Sequence, residues 1–131
     1  MTLLLNIDVP DVETAEHFYT TAFDLKVGRR FGTDFVELVG WPATVYLLAK
    51  RAGTAGAGGD LRRYERHWTP VHADIVVDDV DAAVERAVAA GAKLEVPAKD
   101  APYGRIAMLA DPFGHGFCLL QFSERGYDAL L

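Results

Sequence analysis

Hydrophobic and polar residues alternate along "LLLNIDV" (3–9) and again along "VHADIVV" (71–77), and each alternation then gives way to a helical rhythm. In the first copy Val12, Ala15, Phe18, Tyr19 and Ala22 form one apolar stripe; in the second Val80, Ala83, Val84, Ala87 and Val88 form another. Asp11 and Asp79 stand where helix N-caps are needed, and Glu13 and Asp81 put negative charge in each first turn, where the helix dipole favours it. "AAGA" (89–92) supplies the glycine expected just past a helix end. At one constant offset Ile7-Asp8-Val9 falls on Ile75-Val76-Val77, and Asp11-Val12 on Asp79-Val80, so the chain repeats itself.

The segments after the two helices match as well. Residues 26–50 read as three strands separated by "FGTD" and "GWP", and residues 93–122 as three more, separated by "KDAPYG" and "DPFGH". The pattern predicts an α+β domain over 1–131 built from two βαβββ modules, at 3–50 and 71–122, with helices outside a curved sheet cup. "RAGTAGAGGD" (51–60) reads as a flexible, glycine-rich linker between them.

Strand parity assigns faces. Val71, Ala73, Ile75 and Val77 belong under the second helix, which sends His72, Asp74 and Val76 to the other side. Likewise Leu3, Leu5, Ile7 and Val9 face the first helix, leaving Leu4, Asn6 and Asp8 on the inner face. Polar groups on an inner face suggest a ligand cavity; a wet open sheet or a polar dimer contact is the alternative.

Composition narrows the class. The chain has 131 residues, half of them hydrophobic, enough for one compact domain. A formal charge of −6 speaks against nucleic-acid binding, and "RRYER" (62–66) is the densest basic cluster. No apolar run approaches the roughly 20 residues of a membrane span, and the apolar patch in "MTLLLNIDVPD" is too short for a secretory leader's core and has no basic region before it. The single cysteine, Cys118, fits a reducing compartment, so we expect a cytoplasmic protein.

The paired modules, "DVETAEHFY" in the first helix, "DDVDAAVERAVAAGA" in the second and the closing "PYGRIAMLADPFGHGFCLLQF" resemble the vicinal oxygen chelate superfamily, which includes glyoxalase I, bleomycin-resistance proteins and extradiol dioxygenases. The resemblance runs from about Leu3 to Phe122. It implies a cup formed by paired modules, usually in a homodimer. In metal-using members a ligand, commonly His or Glu, sits near the start of each module's first strand and on each module's last strand. The divalent ion acts as a Lewis acid on a substrate's adjacent oxygens.

Carried onto this chain, the four positions hold His72, Leu4, Cys118, and a residue near Leu47 with Tyr46 close by. A catalytic divalent site usually needs three protein ligands. His72 and Cys118 give two, and Asp74 is the obvious third. The resemblance therefore implies a vacated metal site in which Cys118 is a small apolar filler. A zinc, nickel or iron ion on His72 and Cys118 is the alternative.

Candidate ligand contacts are His72, Cys118, Tyr103, Arg105, Trp41, Tyr46 and Asn6. Tyr103 and Trp41 would stack on a flat or cationic molecule, as aromatics at comparable turns do in drug-binding members. Candidate catalytic residues are His72 as base, Asp74 coupled to it, and Arg105 as partner of Asp74 or of anionic charge. Trp68 reads as dimer packing; His17 and His115 read as solvated or structural. We expect a small-molecule-binding homodimer with no resident cofactor and no nucleic-acid or membrane partner. A lyase or isomerase of the same superfamily is the alternative.

Overall fold

The computed structural model describes all 131 residues and has the two predicted modules as separate units, Met1–Glu65 and Arg66–Leu131. The first contains β1 (Leu4–Val9), α1 (Val12–Phe23), β2 (Lys26–Arg30), β3 (Phe35–Val39) and β4 (Thr44–Ala49). The second contains β5 (Ala73–Val76), α2 (Val80–Ala90), β6 (Lys93–Ala101), β7 (Gly104–Ala110) and β8 (Gly116–Phe122). Each forms a four-stranded mixed sheet, ordered β1-β4-β3-β2 and β5-β8-β7-β6. In both, the first strand runs parallel to the last and the remaining pairs are antiparallel. No helix is long and apolar enough to cross a membrane.

The helices start where the aspartates put them. Asp11 accepts the backbone N–H of Thr14 at 2.8 Å, and Asp79 that of Ala82 at 3.0 Å, each satisfying a donor the first helical turn leaves unpaired. α2 ends at Gly91 with φ near 120°, a conformation that side chains with a Cβ rarely adopt. The α1 stripe is buried at all five expected positions, against Val36, Leu38, Val45 and Leu47 of its sheet. In α2 only Val80, Ala83 and Ala87 are buried; Val84 is half-buried and Val88 is 43% exposed. Helical geometry explains the correction: Val88 stands about 100° round from Ala87, off the face that meets the sheet.

Residues 51–64 also differ from their composition. They form a closed hairpin-like loop, with Gly53 donating to Arg62 and Arg62 to Thr54, both at 2.8 Å. Gly58 and Gly59, at φ of 82° and 87°, make its turn. The Arg62 guanidinium fastens the loop to β1 through Asp8 at 2.7 Å, and the Tyr64 hydroxyl donates to the Lys50 carbonyl. The second hairpin turn is shorter than "KDAPYG" suggests, because Lys99, Asp100 and Ala101 stay paired with β7.

Candidate functional site

On the helix-free face of the second sheet, β5 and β8 lie parallel with Asp74 in register with Cys118. His72 stands just before β5, two residues from Asp74 and therefore on the same side. Its Nε2 lies 3.3 Å from Asp74 Oδ1, and ligand atoms of His72, Asp74 and Cys118 all fall within 4.8 Å of one another. His72 and Asp74 are exposed while Cys118 is 6% exposed.

The parts of that cluster are unequal. Burial, the nearby Asp74 charge and a hydrogen bond donated to Asp74 push the Cys118 thiol up to about 11. The thiol is therefore protonated at neutral pH, and the arrangement does not make it a nucleophile. Cys118 belongs to a small buried cluster with Ile106 and Leu120, on which Tyr103 packs. Tyr103 also meets Tyr127 at 5.3 Å between ring centroids.

Arg105 lies elsewhere. It is in register with Gln121, whose side chain accepts the Val80 backbone N–H at the start of α2, so both belong to the helix side. Its guanidinium donates to Asp81 at 3.0 Å and Asp100 at 2.9 Å, and these carboxylates hold its pKa up. Parity is the reason: residues 105 and 121 are odd, whereas 106, 118 and 120 are even. Arg105 thus neither pairs with Asp74 nor joins His72. Trp41 is also apart, resting on Phe23 of α1 at 5.4 Å. His115 is structural: its Nδ1 sits 2.7 Å from Asp111, whose other oxygen accepts the backbone N–H groups of Phe113 and His115 in the "DPFGH" turn. His17 is exposed on α1, and Trp68 is 78% exposed in the segment leading to β5.

The first sheet shows what occupies the equivalent positions. Asn6 pairs with Tyr46 as Asp74 pairs with Cys118, so Tyr46, not Leu47, is the counterpart of Cys118. Leu47 is fully buried under α1. Leu4 and Asn6, both exposed, follow on the helix-free face.

Around Tyr46 stands a group that sequence reading passed over. Glu37, only 7% exposed, is in register with Tyr46 and accepts its hydroxyl proton at 2.9 Å. Arg29 reaches the same carboxylate through Nε at 3.0 Å and through Nη2, and its backbone N–H donates at 3.3 Å. Bonds from Arg29 first, and from Tyr46 second, hold the Glu37 carboxyl down at about 2. Glu37 in turn raises the Tyr46 phenol. The signal was present: a glutamate inside "FVELV", and Gly28 interrupting "KVGRR". A Cβ at Gly28 would stand 2.6 Å from Glu37 Oε1, and the β2–β3 register is irregular between Val27 and Arg30.

The donor chemistry distinguishes between metals. One imidazole nitrogen, one carboxylate oxygen and one sulfur suit a borderline-soft ion such as zinc, whereas manganese or magnesium prefer oxygen-rich sets. In the first sheet Leu4 carries no donor atom, and the Tyr46 hydroxyl is already bonded to Glu37.

A glyoxalase-like domain family model matches residues 5–120 of this chain. The anthracycline biosynthesis protein DauV of Streptomyces sp. (strain C5) is 34% identical over 117 residues, 87% of this chain; the chain spans 38% of DauV's length. An uncharacterised Mycobacterium bovis protein is 35% identical over 121 residues, 86% of this chain and 78% of that protein. A mutant of the fosfomycin resistance protein FosX from Listeria monocytogenes, solved with Mn(II) and 1S,2S-dihydroxypropylphosphonic acid, superposes with a TM-score of 0.69 at 17% identity, covering 93% of this chain and 90% of that one.

Proposed function

The chain belongs to the glyoxalase-like domain family, and from that premise we propose that it binds a small organic molecule on the helix-free faces of its sheets, without the usual hard divalent-metal site. The observation that carries this is the exchange of ligand-type residues: Leu4 and Tyr46 in the first unit, and a buried thiol, Cys118, in the second. Binding then rests on polar groups around apolar surface, with His72 and Asp74 near Cys118 and Tyr103 on the buried cluster that Cys118 shares with Ile106 and Leu120 in one unit, and Asn6 and Tyr46 in the other. His72 Nε2 lies 3.3 Å from Asp74 Oδ1, so the imidazole and the carboxylate would meet a bound hydroxyl together. The similarity to DauV, an anthracycline biosynthesis protein, makes molecules of the anthracycline kind the first to try.

The protein works as a homodimer in a reducing compartment. Exposed Trp68 and Val71 supply apolar contact surface, and Cys118 is a free thiol. Sedimentation equilibrium tests the dimer; a monomer at micromolar concentration would count against it.

The compact His72, Asp74 and Cys118 cluster favours a second reading, a lyase or isomerase. A zinc ion held by these three would supply Lewis-acid polarisation of a bound carbonyl oxygen, and loading it requires Cys118 to give up its proton.

Thermal-shift screening of oxygenated aromatic molecules, followed by mass spectrometry of the recovered ligand, separates the two. Stabilisation with the ligand returned unchanged supports binding. Conversion to a new product overturns it in favour of the enzyme.

A further inference from the structure

Arg29 is the strongest unassigned feature of the molecule. Its Nε and Nη2 are turned toward Glu37, and Nη2 also reaches the Tyr46 hydroxyl at 3.4 Å. A guanidinium has five N–H donors in a rigid fork, so the two on Nη1 point away from the carboxylate they flank. The side chain is 66% exposed even though its carboxylate partner is 10% exposed. Glu37 is saturated, since its oxygens already take the Arg29 backbone and side-chain donors and the Tyr46 hydroxyl. It therefore acts as a positioning residue rather than a contact. Gly28 leaves room for it, because a Cβ there would collide with Oε1.

Beside this fork lies an aromatic surface. Phe35 meets Tyr46 at 5.3 Å and Phe31 at 4.7 Å, and the Arg29 guanidinium carbon lies 5.3 Å from the Phe31 ring centre. Phe31 is 42% exposed. A cation held by a buried carboxylate, next to partly open rings, is complementary to a flat aromatic molecule carrying an oxygen acceptor at its edge.

Resting on the binding reading above, we infer that Arg29 is the specificity-determining residue on the helix-free face of the first unit, and that its Nη1 takes the carboxylate or carbonyl oxygen of a flat aromatic ligand whose ring lies against Phe31 and Phe35. Glu37 holds Arg29 in place for it.

The test uses two fluorescent probes of the same ring system, 1-hydroxy-2-naphthoate and 1-naphthol, titrated into the whole protein. The wild type binds the acid about tenfold more tightly than the naphthol, the scale of a charge-assisted hydrogen bond. Arg29→Gln reduces that preference to within about twofold while naphthol binding, which also reports an intact fold, persists. Arg29→Lys keeps the charge but not the fork, and retains only part of the preference. Glu37→Gln weakens acid binding with Arg29 still present. Equal binding of both probes by the wild type, or a preference that survives Arg29→Gln, overturns the inference while leaving the binding reading in place. Failure of the wild type to bind either probe overturns the inference and removes aromatic ligands from the broader proposal.

Discussion

Replacing Gly28 with alanine tests the first-sheet group by steric means. Gly28 does not occupy the left-handed region, so alanine meets no backbone strain there. The obstacle is Glu37: the new Cβ would lie 2.6 Å from Oε1 and 3.3 Å from Cγ. Ordinary contact begins near 3.4 Å, so Oε1 must retreat by about 0.8 Å, the difference between 3.4 and 2.6. Such a retreat disturbs the bonds that Oε1 takes from Arg29 Nε at 3.0 Å and Arg29 N at 3.3 Å. Overpacking of this kind costs about 1–3 kcal/mol, against which the loss of glycine's freedom in the unfolded chain returns about 0.4–1 kcal/mol. A net penalty of about 1–2 kcal/mol corresponds to a melting-point drop of roughly 3–8 °C for a chain of this size. Circular dichroism melts at pH 7 on four proteins give the answer: wild type, Gly28→Ala, Glu37→Ala and the double variant. With the Glu37 carboxylate gone, Gly28→Ala becomes neutral or slightly stabilising, so the two changes couple. An equal drop in both backgrounds would refute the steric reasoning, as would no drop in the wild type.

The same geometry gives three further outcomes. Glu37 ionises at about 2 in the folded protein against an ordinary value near 4.5, so its contribution to stability is present above pH 4.5 and lost as pH falls through 2; the melting-point gap between wild type and Glu37→Gln should therefore narrow from pH 5 to pH 2. With its thiol at about 11, Cys118 is only about 0.1% thiolate at pH 8, so iodoacetamide should label it more than about a hundredfold more slowly than a free cysteine, and Asp74→Asn should speed the reaction by removing the neighbouring negative charge. Leu47→Ala, in the fully buried centre of the first core, should cost about 2–5 kcal/mol in denaturant unfolding, whereas Asp79→Ala should cost only about 1 kcal/mol by removing the α2 cap.

Much of the architecture was legible because two periodicities carry it. The alternation at 3–9 and 71–77 and the stripes beginning at Val12 and Val80 place both helices and both first strands, and the aspartates mark each helix start. Failures came where local pattern and tertiary partner diverge. The glycines of 51–60 speak of flexibility, but Arg62 closes the loop through Asp8, a partner 54 residues away. The site divides along the same line. His72, Asp74 and Cys118 could be gathered because two share a strand face and the third sits on the strand paired with it. Arg105, a candidate partner of Asp74 in the sequence, faces the helix side instead, where Asp81 and Asp100 take its guanidinium. Glu37 and Arg29 went unread because the glutamate inside "FVELV" and the glycine in "KVGRR" do not by themselves pair residues eight apart across a hairpin with an irregular register.

Metal retention tests the central claim most directly. Purified protein is incubated separately with manganese, nickel and zinc, dialysed exhaustively against metal-free buffer and analysed for each element per chain. Manganese should be retained far below one per chain, because the residues at the ligand positions do not form a hard donor set. Close to one manganese per chain, abolished by His72→Ala, would contradict the claim. Close to one zinc or nickel, abolished by Cys118→Ala, would shift the balance to the lyase or isomerase reading.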